Sequence, residues 1–260
     1  MLRSYVPTRI LGVIPARFSS SRFPGKALAI IAGKPMIQHV FERASRARYL
    51  SGHSGVIVAT DDERIARAAR SFGAPVRMTR ADHASGTDRA AEVASATQAE
   101  VIVNIQGDEP LIDPDVIDAA VLALLDDPAF SMATMMKRIE DPEEIANPNV
   151  VKVVTDLHGR AVYFSRSPIP YARESGSPEH LTRFKHIGLY VYRRDLLLSY
   201  SDLPVGPLET AERLEQLRAL ENGHSIRVVE TEYDSLGVDT PEDLERVSNL
   251  FEASLLLKHG

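Results

Sequence analysis

Residues 10–26 read ILGVIPARFSSSRFPGK, and this stretch decides the fold. Its first part, Ile10–Pro15, is apolar without the polar alternation of a strand that has one face in water, so it predicts a strand buried on both faces. Its second part, Ile14–Lys26, is basic and serine-rich and predicts the loop that carries the chain from that strand into a helix. Gly55–Thr60 (GVIVAT) and Val101–Ile105 (VIVNI) repeat the buried pattern, and helical segments are expected over Pro35–Arg48, Asp62–Phe72 and Thr87–Thr97. Strand alternating with helix over residues 1–125 predicts an α/β fold with a doubly wound, mostly parallel sheet of Rossmann type.

Beyond Asp127 the pattern changes. Ser131–Arg138, Val150–Asp156 and Arg160–Ser165 are strand-like, and Leu157-His158-Gly159 between the last two predicts a hairpin turn, so a smaller antiparallel extension is expected. Pro168, Pro170, Gly176 and Pro178 make Ser167–Glu179 a loop, long enough to serve as a lid or substrate loop. In Lys185–Tyr192 (KHIGLYVY), Ile187, Leu189 and Val191 fall on one face and His186, Gly188, Tyr190 and Tyr192 on the other. A helix over Leu208–Glu221, a strand over Ser225–Glu230 and a last helix from Pro241 with Leu244, Val247 and Phe251 on its apolar stripe complete the reading. The whole chain is expected to be one domain, with a doubly wound half over 1–126, an extension over 127–236, and a closing helix over 237–260.

Composition narrows the chemistry. The 260 residues carry 30 Lys plus Arg against 36 Asp plus Glu, a formal charge of −6, which argues against a non-specific nucleic-acid or anionic-membrane surface. Any bound anion must meet local basic residues. There is no cysteine, so disulfides, thiol nucleophiles and thiolate metal sites are excluded, and a reducing compartment is compatible with that. The longest stretch free of Asp, Glu, Lys and Arg is Tyr49–Thr60, well short of the about 20 apolar residues of a spanning helix. A cytoplasmic protein is expected.

Three segments can carry reaction chemistry. A strand-to-helix loop offers unpaired backbone N–H groups, and Arg17, Arg22 and Lys26 with the serines make Ile14–Lys26 a plausible cradle for a polyphosphate. It is neither Gly-x-x-x-x-Gly-Lys-Ser/Thr nor Gly-x-Gly-x-x-Gly, which takes most of the support from the usual ATPase and dinucleotide readings. Gln106-Gly107-Asp108-Glu109-Pro110 follows the VIVNI strand; Asp108 is placed to hold magnesium, which keeps most of its waters and needs one or two carboxylates plus phosphate oxygens, although turn chemistry before Pro110 accounts equally for the acids. In Gly237–Asp243 (GVDTPED), Thr240 as N-cap, Pro241 at the first helical position and Asp243 form a strong helix start, so Asp239 reads either as a favourable anion at that start or as the second carboxylate of a magnesium pair with Asp108.

The chain resembles the 3-deoxy-manno-octulosonate (Kdo) cytidylyltransferase family from end to end. The resemblance rests on IPARFSSSRFPGK, ATDDERI (59–65), RADHASGTDR (80–89), NIQGDEPLI (104–112), YFSRSPIP (163–170), KHIGLYVYR (185–193), LEQLRALENG (214–223) and GVDTPEDLERV (237–247). Relatives that activate sialic acid carry a Gly-Gly-Ser-Lys run where Ser19–Arg22 stands here, and many relatives carry tryptophan at Tyr171. The resemblance implies a nucleotide-diphospho-sugar transferase-like fold, magnesium as cofactor, a homodimer, and transfer of CMP from CTP to the anomeric hydroxyl of Kdo with release of pyrophosphate, a step of lipopolysaccharide biosynthesis. It implies Ala16, Arg17, Ser20, Arg22, Lys26, Ser85, Gly86 and Gln106 at the nucleotide, Asp108 and Asp239 as metal ligands, and Lys26, Asp108 and Asp239 as the catalytic set. For the sugar acid it implies Arg166, Arg173, His186, Tyr190, Glu215 and Gln216; an arginine suits a carboxylate and the others suit hydroxyls. Read without the resemblance, Arg173, Glu215 and Gln216 are a loop charge and a solvated helix face. A cytidylyltransferase for a related sugar acid, such as an amino-substituted Kdo or a nonulosonate, is the nearest alternative; a non-catalytic CTP sensor is another.

Overall fold

The computed structural model describes residues 9–19, 23–51, 55–173 and 181–259. The chain forms two compact units, one from residues 1–118 with 235–260 and the other from 119–234.

In the first unit, β1 (Ile10–Ala16) leads through a short 3-10 turn at Lys26–Leu28 into a two-stranded hairpin of β2 (Ile30–Ile31) and β3 (Lys34–Pro35), and only then into α1 (Met36–Ala44). The expected helix therefore does not follow the basic loop directly: Gly25 adopts φ 75°, its amide donates to the Phe18 carbonyl at 2.8 Å, and a Cβ there would meet the Phe18 ring at 2.9 Å. β4 (Val56–Thr60), α2 (Glu63–Ser71), β5 (Val76–Met78), α3 (Gly86–Ser95), β6 (Val101–Asn104) and α4 (Pro114–Asp126) follow, and the chain passes to the second unit within α4. Apart from the β2–β3 hairpin, the strands of this unit lie in the order β6-β1-β4-β5 and pair in parallel. Val13, Ile14, Val58, Ile102 and Val103 are fully buried, as their unbroken apolar runs predict. Strand order reverses beside β1, with β4 on one side and β6 on the other, and in open α/β sheets ligands bind at the carboxyl ends of strands at such a point.

The second unit holds β7 (Met132–Arg138), α5 (Pro142–Ala146), β8 (Lys152–Thr155), β9 (Ala161–Ser165), β10 (Phe184–Arg193), α6 (Arg194–Ser199), α7 (Pro207–Glu212), α8 (Gln216–Glu221) and β11 (Ile226–Glu230). β7 pairs antiparallel with β10 and parallel with β11, and β8 pairs antiparallel with β9 and β10. The expected hairpin is present: Gly159 has φ 72°, and the Asp156 carboxylate accepts from the His158 and Arg160 amides at 2.8 and 2.9 Å. The helix expected over Leu208–Glu221 is broken in two. Arg213 is left-handed at φ 53°, and the Glu212 and Arg213 carbonyls, which a continuous helix would pass to later amides, face the Arg166 guanidinium at 2.7 and 3.5 Å. Tyr192 also departs from expectation: it is buried and packs edge-on to Tyr200 at 5.8 Å.

The chain returns to the first unit for α9 (Pro241–His259). Its start is the predicted one, since the Asp243 amide donates to Thr240 Oγ1 at 3.2 Å and Asp243 Oδ2 accepts from the Thr240 amide at 3.0 Å. Val238 and Val247 are buried with Ile31 and Met36, and Leu244 and Phe251 pack on that cluster, which fixes Asp239 between two anchored neighbours. No helix among the described residues is long and apolar enough to cross a membrane.

Candidate active site

A cleft of about 300 Å³ opens in the first unit at the carboxyl ends of β1 and β6. Ala16, Arg17, Lys26, Ser85, Gly86, Gln106, Asp108 and Asp239 all line it, so the structure brings together these sequence-predicted positions. Ser20 and Arg22 lie outside the described residues. α3 presents its N-terminus here: Ser85 Oγ accepts from the Asp88 amide at 3.1 Å, Asp88 caps Ser85 in return, and Gly86 begins the helix.

Three segments distant in sequence meet at Lys26. Its ammonium donates to Asp108 Oδ2 at 2.5 Å, Asp239 Oδ1 at 2.9 Å and the Val238 carbonyl at 3.3 Å. The backbone sets this up, since the Val238 amide donates to the Asp108 carbonyl at 2.9 Å and so ties the end of β6 to the start of α9. Burial opposes the charge on Lys26, but Asp108 and Asp239 outweigh it and hold the amine above its ordinary pKa. The two carboxylates therefore converge on one small cation position at the edge of the cleft. Asp239 is thus an ion-pair partner of Lys26 as well as an anion at a helix start.

Gly107 lets this happen. A Cβ at that position would lie 2.8 Å from the Pro15 carbonyl oxygen, so only glycine lets the Gln106–Asp108 turn come that close to β1.

The cleft has two titratable lining residues that the sequence reading did not single out, His83 and Arg89. His83 Nε2 lies 2.5 Å from Glu92 Oε2, whose carboxylate also accepts from the Arg80 amide at 3.0 Å. Arg89 is 3 % exposed, bonds Thr79 Oγ1 and pairs with Asp61 at 3.1 Å. Both sit in the quoted RADHASGTDR stretch, one before and one after the Ser85 cap; the signal was their place beside the only capping-box serine in that stretch.

The sugar-acid candidates are in the second unit. His186 Nε2 lies 2.9 Å from Thr134 Oγ1, its ring is edge-on to Phe164 at 5.0 Å and tilted against Tyr190 at 5.4 Å, and Tyr190 donates to Gln216 Oε1 at 3.3 Å. Burial pushes the His186 pKa down to about 3, so the ring is neutral near pH 7. Gln216 is 3 % exposed, and its Nε2 has no hydrogen-bond partner among the described residues, a buried donor left for something else to satisfy. Arg166 is already engaged: Nε donates to the Glu212 carbonyl at 2.7 Å, one terminal nitrogen to Pro148 at 2.9 Å, and its own amide to the Glu212 carboxylate at 2.9 Å. Glu215 is exposed where α8 begins, and Arg173 is exposed in the irregular segment after β9. Residues 174–179 of the expected lid loop lie outside the described residues.

A family model described as cytidylyltransferase matches residues 11–226. The chain is 70 % identical over 255 residues to 3-deoxy-manno-octulosonate cytidylyltransferase of Solibacter usitatus, covering 98 % of this chain and 99 % of that one. It is 59 % identical over 246 residues to the enzyme of the same name from Geobacter sulfurreducens, covering 92 % and 97 %. Among solved structures, that of a CMP:2-keto-3-deoxy-manno-octonic acid synthetase complexed with CTP superposes with a TM-score of 0.89 at 46 % identity, covering 95 % of this chain and 100 % of that one. The chain belongs to the cytidylyltransferase family and has its α/β nucleotidyltransferase fold.

Proposed function

We propose that this protein transfers CMP from CTP to the anomeric hydroxyl of Kdo, giving CMP-Kdo and pyrophosphate, the sugar-activation step of lipopolysaccharide biosynthesis. The observation that carries the reading is the convergence of Asp108 and Asp239 on Lys26 in a cleft at the strand ends, in a chain 70 % identical to a protein of that named activity.

Magnesium fits these residues. Two carboxylates that already share one cation form a hard oxygen donor pair, and magnesium takes one or two such ligands, the rest being water and phosphate oxygens. Asp108 and Asp239 would hold it, and when bound it supplies charge neutralisation on the phosphates and a lower pKa for a coordinated hydroxyl. The chain's own groups do the positioning. Arg17 binds the phosphates, Ser85, Gly86 and Gln106 face the cytosine and ribose, and Lys26 neutralises charge on the departing pyrophosphate. In the second unit His186, Tyr190, Gln216 and Glu215 bind sugar hydroxyls. Arg173 and the two N–H groups of Arg166 left after three of its five donors are spent on carbonyls receive the carboxylate. No covalent nucleophile is needed, because attack on the α-phosphorus requires an in-line hydroxyl and stabilised charge. The protein is read as cytoplasmic, from its composition and hydropathy, and as homodimeric, as the family resemblance implies.

The test is pyrophosphate release from CTP with magnesium, with and without Kdo, beside a metal-free control and parallel sialic-acid and 8-amino-Kdo reactions. Release that needs both metal and Kdo is expected. Release with another sugar acid in preference overturns the substrate, and saturable CTP binding without release for any sugar overturns the reaction.

A further inference from the structure

Strands β7 and β10 do not keep register throughout. Ile187 pairs with Met135, yet the next pairing step joins Tyr190 to Thr134, so Gly188 and Leu189 form a bulge opposite a single step of β7. The bulge turns the Ile187 and Leu189 carbonyls toward one side chain: Thr134 Oγ1 lies 3.1 Å from the first and 2.8 Å from the second. The same oxygen lies 2.9 Å from His186 Nε2. Thr134 is fully buried.

A hydroxyl has one hydrogen and carbonyls can only accept. If Thr134 gave its hydrogen to the imidazole, two carbonyl oxygens would face its lone pairs at hydrogen-bond distance with nothing between them, a costly arrangement in a buried site. The hydrogen therefore goes to the bulge, and Nε2 must bring its own. A neutral ring with Nε2 protonated carries its lone pair on Nδ1, and that nitrogen makes no hydrogen bond among the described residues.

We propose that Thr134 is a positioning residue for the reaction: held by the β10 bulge, it fixes His186 as the Nε2–H tautomer, so that Nδ1 stands as a hydrogen-bond acceptor for a hydroxyl of the sugar acid. This deepens the Kdo reading above and rests on it for the ligand, though not for the tautomer. It also sets polarity. A neutral acceptor nitrogen accepts from a hydroxyl and gives nothing to a carboxylate, so His186 sorts the hydroxyl-bearing part of the substrate from its acid end, which is left to the arginines.

The experiment uses the full chain labelled with ¹⁵N-histidine, the His186 ring signals being assigned by their loss in His186→Asn. Wild type near pH 7 without ligand is expected to show one neutral tautomer with Nε2 protonated, and Thr134→Ser, which keeps the hydroxyl, is expected to match it. Thr134→Val is expected to lose the single-tautomer pattern and to raise KM for Kdo about tenfold, the worth of one neutral hydrogen bond, while KM for CTP stays unchanged. A wild-type ring protonated on Nδ1 overturns the proposal, and this arm needs no variant to fold. Thr134→Val with the wild-type ring pattern, or with unchanged KM for Kdo, also overturns it. Wild type that shows the expected tautomer but releases no pyrophosphate with Kdo refutes the substrate reading, and with it the ligand named here for Nδ1.

Discussion

Gly107→Ala tests whether the close approach of the Gln106–Asp108 turn to β1 sets the catalytic geometry. The added Cβ would stand 2.8 Å from the Pro15 carbonyl oxygen, where ordinary contact begins at 3.4 Å, so turn or strand must yield by 3.4 − 2.8 = 0.6 Å. Its other neighbours, Ile14 Cγ2 and Ile37 Cδ1, lie at an ordinary 3.6 Å, and the position is not in the left-handed region, so the carbonyl contact is the whole perturbation. β1 is hydrogen-bonded to β4 on one side and β6 on the other and cannot easily give. The turn moves instead, and Asp108 moves with it. Overpacking of this kind costs about 1–3 kcal/mol of stability. An ångström of misplacement costs on the order of a hundredfold in rate, so a shift of this size predicts a loss of about ten- to a hundredfold in turnover. Thermal unfolding and pyrophosphate release on the same preparation measure both. Gly237→Ala, where a Cβ meets nothing within 4 Å, is the control, expected to stay within about 0.5 kcal/mol of wild type. Gly107→Ala with wild-type turnover and unfolding temperature refutes the reasoning.

Asp108→Asn and Asp239→Asn should each lower turnover by orders of magnitude with the fold intact by circular dichroism; wild-type turnover in either at ordinary magnesium sinks the metal assignment. Asp62 tests linkage away from the cleft. Its carboxylate bonds the Arg64 side chain and caps the Arg64 amide at 2.8 Å, and the side-chain bond first of all lowers its pKa from 3.8 to about 2. Because the folded value lies below the unfolded one, the stabilisation is present above about pH 3.8 and is lost as pH falls through about 2. Asp62→Ala should cost about 1 kcal/mol in urea unfolding at neutral pH, with the gap narrowing toward pH 2, and a gap independent of pH would count against it.

What the sequence could and could not disclose follows from the range of each interaction. β1, β4 and β6 are legible because burial on both faces forces an unbroken apolar run, and the α9 start is legible because a capping box is complete within four residues. β5 escaped the reading because VRM is short and mostly exposed, as an edge strand is in this unit's sheet, so it shows no run at all. The break at Arg213 escaped for a different reason. Leu208–Glu221 has a sound helical pattern on its own, and what ends α7 is Arg166, far away in sequence, taking the carbonyls that the helix needs.

The same division runs through the site. Residue types were readable: cations after the first strand, a carboxylate after VIVNI, another before a helix start. Their pairing was not. Lys26 reads naturally as a phosphate cation, yet in the folded chain it holds Asp108 and Asp239 together, because a hydrogen bond from the Val238 amide to the Asp108 carbonyl fixes both segments before any ligand is considered. Without that ammonium two carboxylates would face each other in a partly buried cleft, a repulsion the fold would have to bear in its free state. The proposed function gives Lys26 a second task beside this one. In the free protein it is the counter-ion that keeps the acidic pair assembled. On the proposed reading Asp108 and Asp239 would hold a divalent cation, and the Lys26 ammonium would then face the phosphates from the edge of the cleft, where charge develops on the leaving group.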